Sequence, residues 1–333
     1  MFGSEIEPSM ERVAFEEELH FEPWSKACSG RHDLDRYCSS PYWGVPLCKA
    51  FQGDGELFVY RSSSENFAVF CERPVQGGVL VLPADGMWLL GTPILSSRPA
   101  SMLGDLIRYW AANPHPSGLR QILIGGVYPE SRLIATRFWE RLGGWELESS
   151  QRMVASLEGG FEGFMSRRSK NFRSRLRRTV KAAEKEGVEV DFMPGQADRK
   201  ACFQLMERIF EVEADCWKGQ KGQGINTGGM RLFYEEMLPR LAAHGRLRGL
   251  FLRQEGQDVA YLFGALFDGY FRGLQFSYRS THDAGLGNVC QYHMLQSLVE
   301  EGCSDYDLGQ GMKYKTRWSE QHIESRSFVV QLS

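Results

Sequence analysis

The chain has 333 residues, 42% of them hydrophobic, which is material for about two ordinary domains with cores of their own. A formal charge of −3 and the lack of any apolar run of about 18 residues exclude a general electrostatic affinity for nucleic acid or anionic lipid, and a membrane-spanning helix. Eight cysteines without a single C-x-x-C pair exclude a zinc ribbon, a thioredoxin motif and a disulfide framework, so buried free thiols and no metal are expected.

The first residues, Met1 to Glu7, are acidic where a signal peptide is basic and then apolar, so a cytoplasmic location is expected. Residues 1–50 turn rich in Ser, Pro, Cys and aromatics and read as an irregular segment wrapped over the surface of the first domain. Regular structure is expected from 51 to 158. Strands at 57–60 and 67–70 form a hairpin across a polar link, and 78–82 and 88–90 extend the sheet. Met102, Leu103, Leu106, Ile107 and Trp110 then mark an amphipathic helix, followed by a buried strand at 121–124, a helix at 133–142 ending at Gly143-Gly144, and a strand at 145–157.

A second unit is expected over 159–333. It opens on a helix from 161 to 186 and a strand at 188–192, continues with helices at 197–216 and 228–243, and then has three strands at 247–253, 259–267 and 270–278. A helix at 288–301 and a strand at 304–309 complete the set. Both halves thus show helices, antiparallel strands, a helix and a strand. The expected fold class is α/β (α+β): two tandem units, each a mixed, largely antiparallel sheet flanked by helices.

Three segments carry chemistry. His282-Asp283-Ala284-Gly285-Leu286-Gly287-Asn288 sits at the mouth of a helix, where unpaired backbone N–H groups and the helix dipole favour an anion and glycines let a pyrophosphate approach the backbone. The same loop also reads as a plain Gly-rich turn. Glu211, Glu213 and Asp215 lead into Trp217-Lys218-Gly219, an acidic helix end beside a Gly-rich loop that suits an amine-accepting pocket. Acyl transfer to an amine needs the neutral nucleophile, and Glu213, one turn before the pocket-walling Trp217, is the candidate base. Asp215, Trp217 and Lys218 are assigned to the acceptor; a solvated helix face with a flexible loop is the alternative. Finally, Lys313 to Trp318 come after the last strand, where a lysine or a tyrosine general acid would stabilise an oxyanion or a departing thiolate. A basic run, Arg167 to Lys181, carries an apolar stripe of Phe172, Leu176, Val180 and Ala183. It reads as a solvated helix face, or as a docking surface for an anionic substrate, tRNA included, or for coenzyme phosphates.

Taken together, Ser169-Lys170-Asn171-Phe172-Arg173 through Val190, Trp217-Lys218-Gly219, Tyr306-Asp307-Leu308-Gly309 and Tyr314-Lys315-x-x-Trp318 resemble the GNAT-type acyltransferases of the tandem-domain kind, which include Fem-like peptidyltransferases and CelD-like acetyltransferases. The resemblance spans roughly 160–320. It implies an acyl-CoA co-substrate, with His282, Gly285, Leu286, Gly287 and Asn288 in the place of the Q/R-x-x-G-x-G/A pyrophosphate loop, and with His282 standing where Gln or Arg is usual. It also implies that Lys315, with Tyr314 beside it, carries the catalytic charge, that Trp318 belongs to the substrate side, and that the first half is a degenerate copy shaping the acceptor cleft. The expected activity is direct N-acyl transfer in a ternary complex to a primary amine of a small molecule or peptide. The alternatives are aminoacyl transfer from tRNA and a non-catalytic binding module.

Overall fold

The computed structural model describes residues 10–63, 66–116, 118–282 and 285–332. The chain divides into two units, Met1–Ser150 with Glu324–Ser333, and Gln151–Ile323. The first runs β1 (Glu11–Ala14), α1 (Glu17–Cys28), α2 (Pro41–Phe51), β2 (Glu56–Arg61), β3 (Phe67–Val75), β4 (Gly78–Pro83), α3 (Pro99–Ala112) and β5 (Leu119–Val127). Two short helices, α4 (Arg132–Thr136) and α5 (Phe138–Arg141), and β6 (Trp145–Glu146) come next. The second begins with β7 (Ser150–Ser156), α6 (Gly160–Ser166) and α7 (Lys170–Lys185). It then runs β8 (Glu189–Phe192), α8 (Arg199–Ala214), α9 (Gly228–Ala243), β9 (Leu247–Gln254), β10 (Gln257–Phe267), β11 (Tyr270–Tyr278), α10 (Leu286–Glu300) and β12 (Asp305–Gln310). The last strand is β13 (Gln321–Leu332).

The two units repeat one topology. In the first, β1, β2, β3 and β4 pair in antiparallel succession and α3 carries the chain across to β5, which lies parallel to β4. The second does the same with β8, β9, β10 and β11, and α10 crosses over to β12, parallel to β11. A crossover helix is what a parallel pair requires, since no tight turn can join parallel neighbours. Each unit is completed by an antiparallel strand lying outside this repeat: β13 pairs with β5, and β7 pairs with β12.

The first fifty residues, expected to be irregular, instead supply β1, α1 and α2, the opening elements of the first unit. Pro23 lies inside α1 and Pro46 inside α2, and every residue from Pro41 to Cys48 is buried. Neither helix therefore shows the one-sided stripe by which helices are read. The expected strand at 88–90 is a turn: the Asp85 carboxylate accepts the N–H groups of Trp88, Leu90 and Gly91 at 3.0, 2.9 and 3.3 Å, and Leu89 is left-handed with φ 55°. The helix over 133–142 breaks at Arg137, also left-handed at φ 47°. The helix over 161–186 breaks at Ser169, whose hydroxyl caps α7 by accepting from Phe172 N at 3.2 Å. Strand β13 had no sequence assignment, and Phe328 and Val330 place it in the first unit's core with Tyr60, Phe70, Trp110 and Ile122.

The second unit's main core lies between its sheet and the α7/α10 layer, with Leu176, Val180, Phe271, Leu286, Met294 and Tyr306 at its centre. Burying α7 by Leu176, Val180 and Ala183 leaves Arg175, Arg177, Arg178 and Lys181 exposed on the opposite face.

Candidate active site

The site starts where two strands part. Strands β11 and β12 pair only at Tyr270↔Asp305, Phe271↔Tyr306 and Arg272↔Asp307. Beyond that point Gly273–Tyr278 and Leu308–Gln310 run without a shared ladder, and Gly309, left-handed at φ 80°, turns β12 away. Two glycines thus face the opening wedge: a Cβ at Gly309 would lie 3.9 Å from Gly273 O and 3.7 Å from Lys315 Nζ. In the first unit β4 and β5 also cease to pair beyond Val81↔Ile122, but Gly91 is pressed backbone to backbone against Gly126 there, and helix α3 opens on Pro99 without a glycine. Among its described residues, that copy shows no glycine-bearing helix mouth at the corresponding place.

Helix α10 starts beside the wedge of the second unit, and its mouth holds the sequence-predicted donor residues. Asp283 and Ala284 lie outside the described residues. His282 is half-buried, with Nδ1 3.0 Å from Thr281 Oγ1 and its backbone N–H donating to Arg279 O. Gly285 and Gly287 are closely packed, one against a helix and the other against a strand. A Cβ at Gly285 would come within 3.0 Å of the Thr179 methyl on α7, and one at Gly287 within 3.0 Å of the Phe276 ring on β11. Close packing of the first turn therefore calls for both glycines, and the same lack of side chains lets a ligand approach the backbone of that turn. The Leu286 side chain is 8% exposed and belongs to the core, so only its backbone faces the loop, and Asn288 is half-buried.

On the α8 side of the sheet lies a polar layer. Glu213 is fully buried; its Oε2 accepts from Tyr261 OH at 2.8 Å, and its Oε1 accepts from Ile225 N at 3.2 Å and meets Lys218 Nζ at 3.2 Å. Burial alone would raise its pKa, but Lys218, the hydroxyls of Tyr261 and Ser277 and the Ile225 amide together hold it below the ordinary carboxylate range. The expectation of Glu213 as the free base is therefore corrected: its lone pairs are committed and its proton affinity is lowered. Lys218 also donates to Gln275 Oε1 at 3.4 Å, and the Tyr234 hydroxyl of α9 bonds to the same Gln275 side chain. Asp215 is paired through Oδ2 with Arg279 at 3.1 Å, its side chain stays 40% exposed, and its carbonyl accepts Ser280 N–H at 3.0 Å. Trp217 is 53% exposed, with Lys221 Nζ 5.5 Å from its ring centroid.

Next along the sheet is a cluster of buried charges that sequence reasoning missed. Asp307 accepts from Arg152, Arg272 and Tyr270 OH through Oδ2 and from Gly309 N–H through Oδ1. The Arg152, Arg272 and Asp307 side chains are 1, 4 and 0% exposed. Burial pushes the Asp307 pKa up; Arg272 and Arg152, with Tyr270 and Gly309, outweigh it and hold the group ionised. The signal was present in the sequence as lone charges inside otherwise apolar strands, which are buried only when paired.

Lys315 stands over Gly309, its Nζ donating to Gln310 O at 2.9 Å. Partial burial, with repulsion from Arg272, lowers its pKa to about 8 against the opposing pull of Asp307. Tyr314 is 44% exposed, its ring 6.1 Å from Phe276, and burial of the hydroxyl raises its pKa to about 12. Trp318 is not at the substrate surface: it is 4% exposed and packs edge-on against Phe172 at 5.0 Å and stacked near Phe164 at 6.2 Å. Its role is to anchor the loop carrying Lys315 to the core.

Parted parallel strands, a glycine-bearing helix mouth beside them and a lysine of lowered pKa over the gap thus lie together in the second unit. Residues 170–316 match the family model of the acetyltransferase (GNAT) domain. That match lies within the second unit, which therefore carries a GNAT-type transferase domain. No curated protein sequence matches it. Among solved structures, a conserved protein of unknown function from Bacteroides thetaiotaomicron shares the fold at TM-score 0.67 and 13% identity, over 96% of this chain and 99% of that one. FemX does so at 0.66 and 11%, over 95% and 96%. The C-terminal domain of a putative lysylphosphatidylglycerol synthetase from Agrobacterium fabrum aligns at 0.58 and 11%, over 95% and 92%. At these identities the likeness shows the fold.

Proposed function

We propose that the second unit transfers an acyl group from acyl-CoA to a primary amine in a ternary complex. The observation that carries this reading is the alignment of three features in one place: the wedge past Arg272↔Asp307, the Gly285–Asn288 helix mouth, and Lys315 over Gly309. The pyrophosphate takes the amides at the start of α10, and the thioester enters the wedge. The amine attacks the thioester carbonyl, the tetrahedral oxyanion collapses, and the carbon–sulfur bond breaks. Lys315 supplies positive charge as negative charge grows and gives its proton to the leaving thiolate, whose pKa of about 8.5 is close to its own, while the proton shed by the attacking nitrogen passes to solvent, from which the neutral Lys315 amine is reprotonated. Tyr314, the weaker acid, walls the gap. Glu213 acts as a positioning residue that fixes Lys218 and Tyr261. A covalent acyl-enzyme is not part of this reading, since all eight cysteines are buried and burial raises the Cys290 thiol far above its ordinary range.

Replacing Gly285 by Arg tests the donor site. Its φ of −62° suits any residue, but the Thr179 methyl, 3.0 Å from a Cβ there, must give by a few tenths of an ångström, so a thermal melt of the variant accompanies the titration to show that the fold survives while the side chain covers the amides. Acetyl-CoA affinity measured by calorimetry is expected to fall at least about tenfold, or 1.4 kcal/mol. Unchanged affinity would put the donor elsewhere. Aminoacyl-tRNA as donor is the second reading, favoured by the exposed Arg175, Arg177, Arg178 and Lys181 on α7.

A further inference from the structure

The acceptor side of this site is cationic, against the sequence expectation of an acidic pocket that draws in an ammonium. Its polar layer contains Lys218, Arg272, Arg152 and, over the gap, Lys315, but its acids are Glu213 and Asp307. Both are already spent. Glu213 serves Lys218, Tyr261, Ser277 and the Ile225 amide; Asp307 serves two arginines, Tyr270 and the Gly309 amide. Asp215 belongs to Arg279, and the neighbouring stretch Trp217 to Gly224 contributes Lys218 and Lys221 and no acid. A diamine or any other purely cationic acceptor would therefore meet, among the described residues of this layer, four cations against two carboxylates already engaged.

One group stands ready for an anion. The Lys218 ammonium has three N–H bonds, of which one points to Glu213 Oε1 at 3.2 Å and one to Gln275 Oε1 at 3.4 Å, and the side chain remains 23% exposed. We propose, resting on the acyltransferase reading, that the acceptor is of the amino-acid class, an amine and a carboxylate in one molecule, and that Lys218 holds its carboxylate. The same arrangement serves the chemistry. A positive surrounding lowers the pKa of the bound ammonium, so the neutral amine forms without a free carboxylate base, and the tethered carboxylate offsets the charge. Glu213, fixed by four donors, keeps the Lys218 ammonium in place.

Saturation-transfer NMR on the full chain, without any acyl donor, tests this with a mixture of the common amino acids, their carboxamides, putrescine and spermidine. Free amino acids are expected to bind at least about tenfold tighter than the matching amides, with the diamines weaker still. Lys218→Met should erase the preference and Lys218→Arg retain it. Equal or tighter binding of amides or diamines, no binding by any free amino acid, or a preference that survives Lys218→Met would overturn the proposal. Should Lys218→Met fail to fold, the wild-type comparison of acid with amide still decides. Adding acetyl-CoA and following acylation by mass spectrometry separates the two readings: carboxylate preference without acyl transfer would sink the acyl-CoA donor and leave the acceptor class standing.

Discussion

Lys315→Met is expected to lower kcat for acyl transfer by about 10²–10⁴, the range a positioned general acid supplies, while acetyl-CoA affinity changes by less than about threefold. The split arises from geometry. Lys315 stands over Gly309, at the parting of β11 and β12, whereas the pyrophosphate is assigned to the α10 mouth. A charge that acts on the oxyanion and thiolate acts mainly in the transition state, so its loss appears in kcat. The pH profile gives a second reading. Burial and Arg272 bring the Lys315 pKa down to about 8, so the protonated acid dominates below that pH and is lost above it. The wild-type rate should therefore fall as pH rises through about 8, and this limb should vanish in the variant. Steady-state kinetics by thiol release, from about pH 6 to about pH 10, checks both. A variant with unchanged kcat, or one that keeps the alkaline limb, would remove Lys315 from the reaction.

Asp307→Asn is expected to destabilise the second unit by about 3–5 kcal/mol, because it leaves Arg152 and Arg272 buried with no counter-charge. A fall on the order of 10 °C in Tm is expected for a unit of this size. The sign of the pH dependence is fixed by the depressed carboxyl. A group whose folded pKa lies below its unfolded value of about 3.9 contributes stability above that value and loses it as pH falls through the folded pKa. Wild type should thus lose this contribution under acid, and the variant should show a flatter acid limb. Calorimetric melts from about pH 2.5 to about pH 7 read both effects. Equal melting temperatures at neutral pH would show that the cluster is not what holds β7, β11 and β12 together.

Much of the second unit was legible because its elements obey simple periods. The stripe of α7 is a one-sided pattern, β9 and β10 are apolar runs bounded by polar turns, and α9 matched its expected range of 228–243. The opening of the first unit was not, since α2 is buried from Pro41 to Cys48 and carries Pro46 within it, and β13 finds its partner β5 far away in sequence. Within the site, Gly285, Gly287 and Lys315 were readable as local motifs. The fate of Glu213 was not: Tyr261 lies 48 residues away in sequence, and only the fold brings it to the carboxylate. Trp318 misled for a related reason, because an aromatic next to a candidate catalytic lysine reads as a pocket wall until Phe164 and Phe172 are seen to enclose it. Asp307 stands in the recognisable Tyr306–Gly309 motif, yet its two arginines come from β7 and β11, and periodicity within one strand does not announce a partner in another.

In the proposed reaction an acyl-CoA thioester enters between β11 and β12 with its pyrophosphate on the α10 mouth. Isothermal titration of wild-type protein with acetyl-CoA, and separately with aminoacyl-tRNA, tests it most directly. One site for acetyl-CoA, lost in Gly285→Arg, is the predicted result; heat from aminoacyl-tRNA alone, with none from acetyl-CoA, would contradict it.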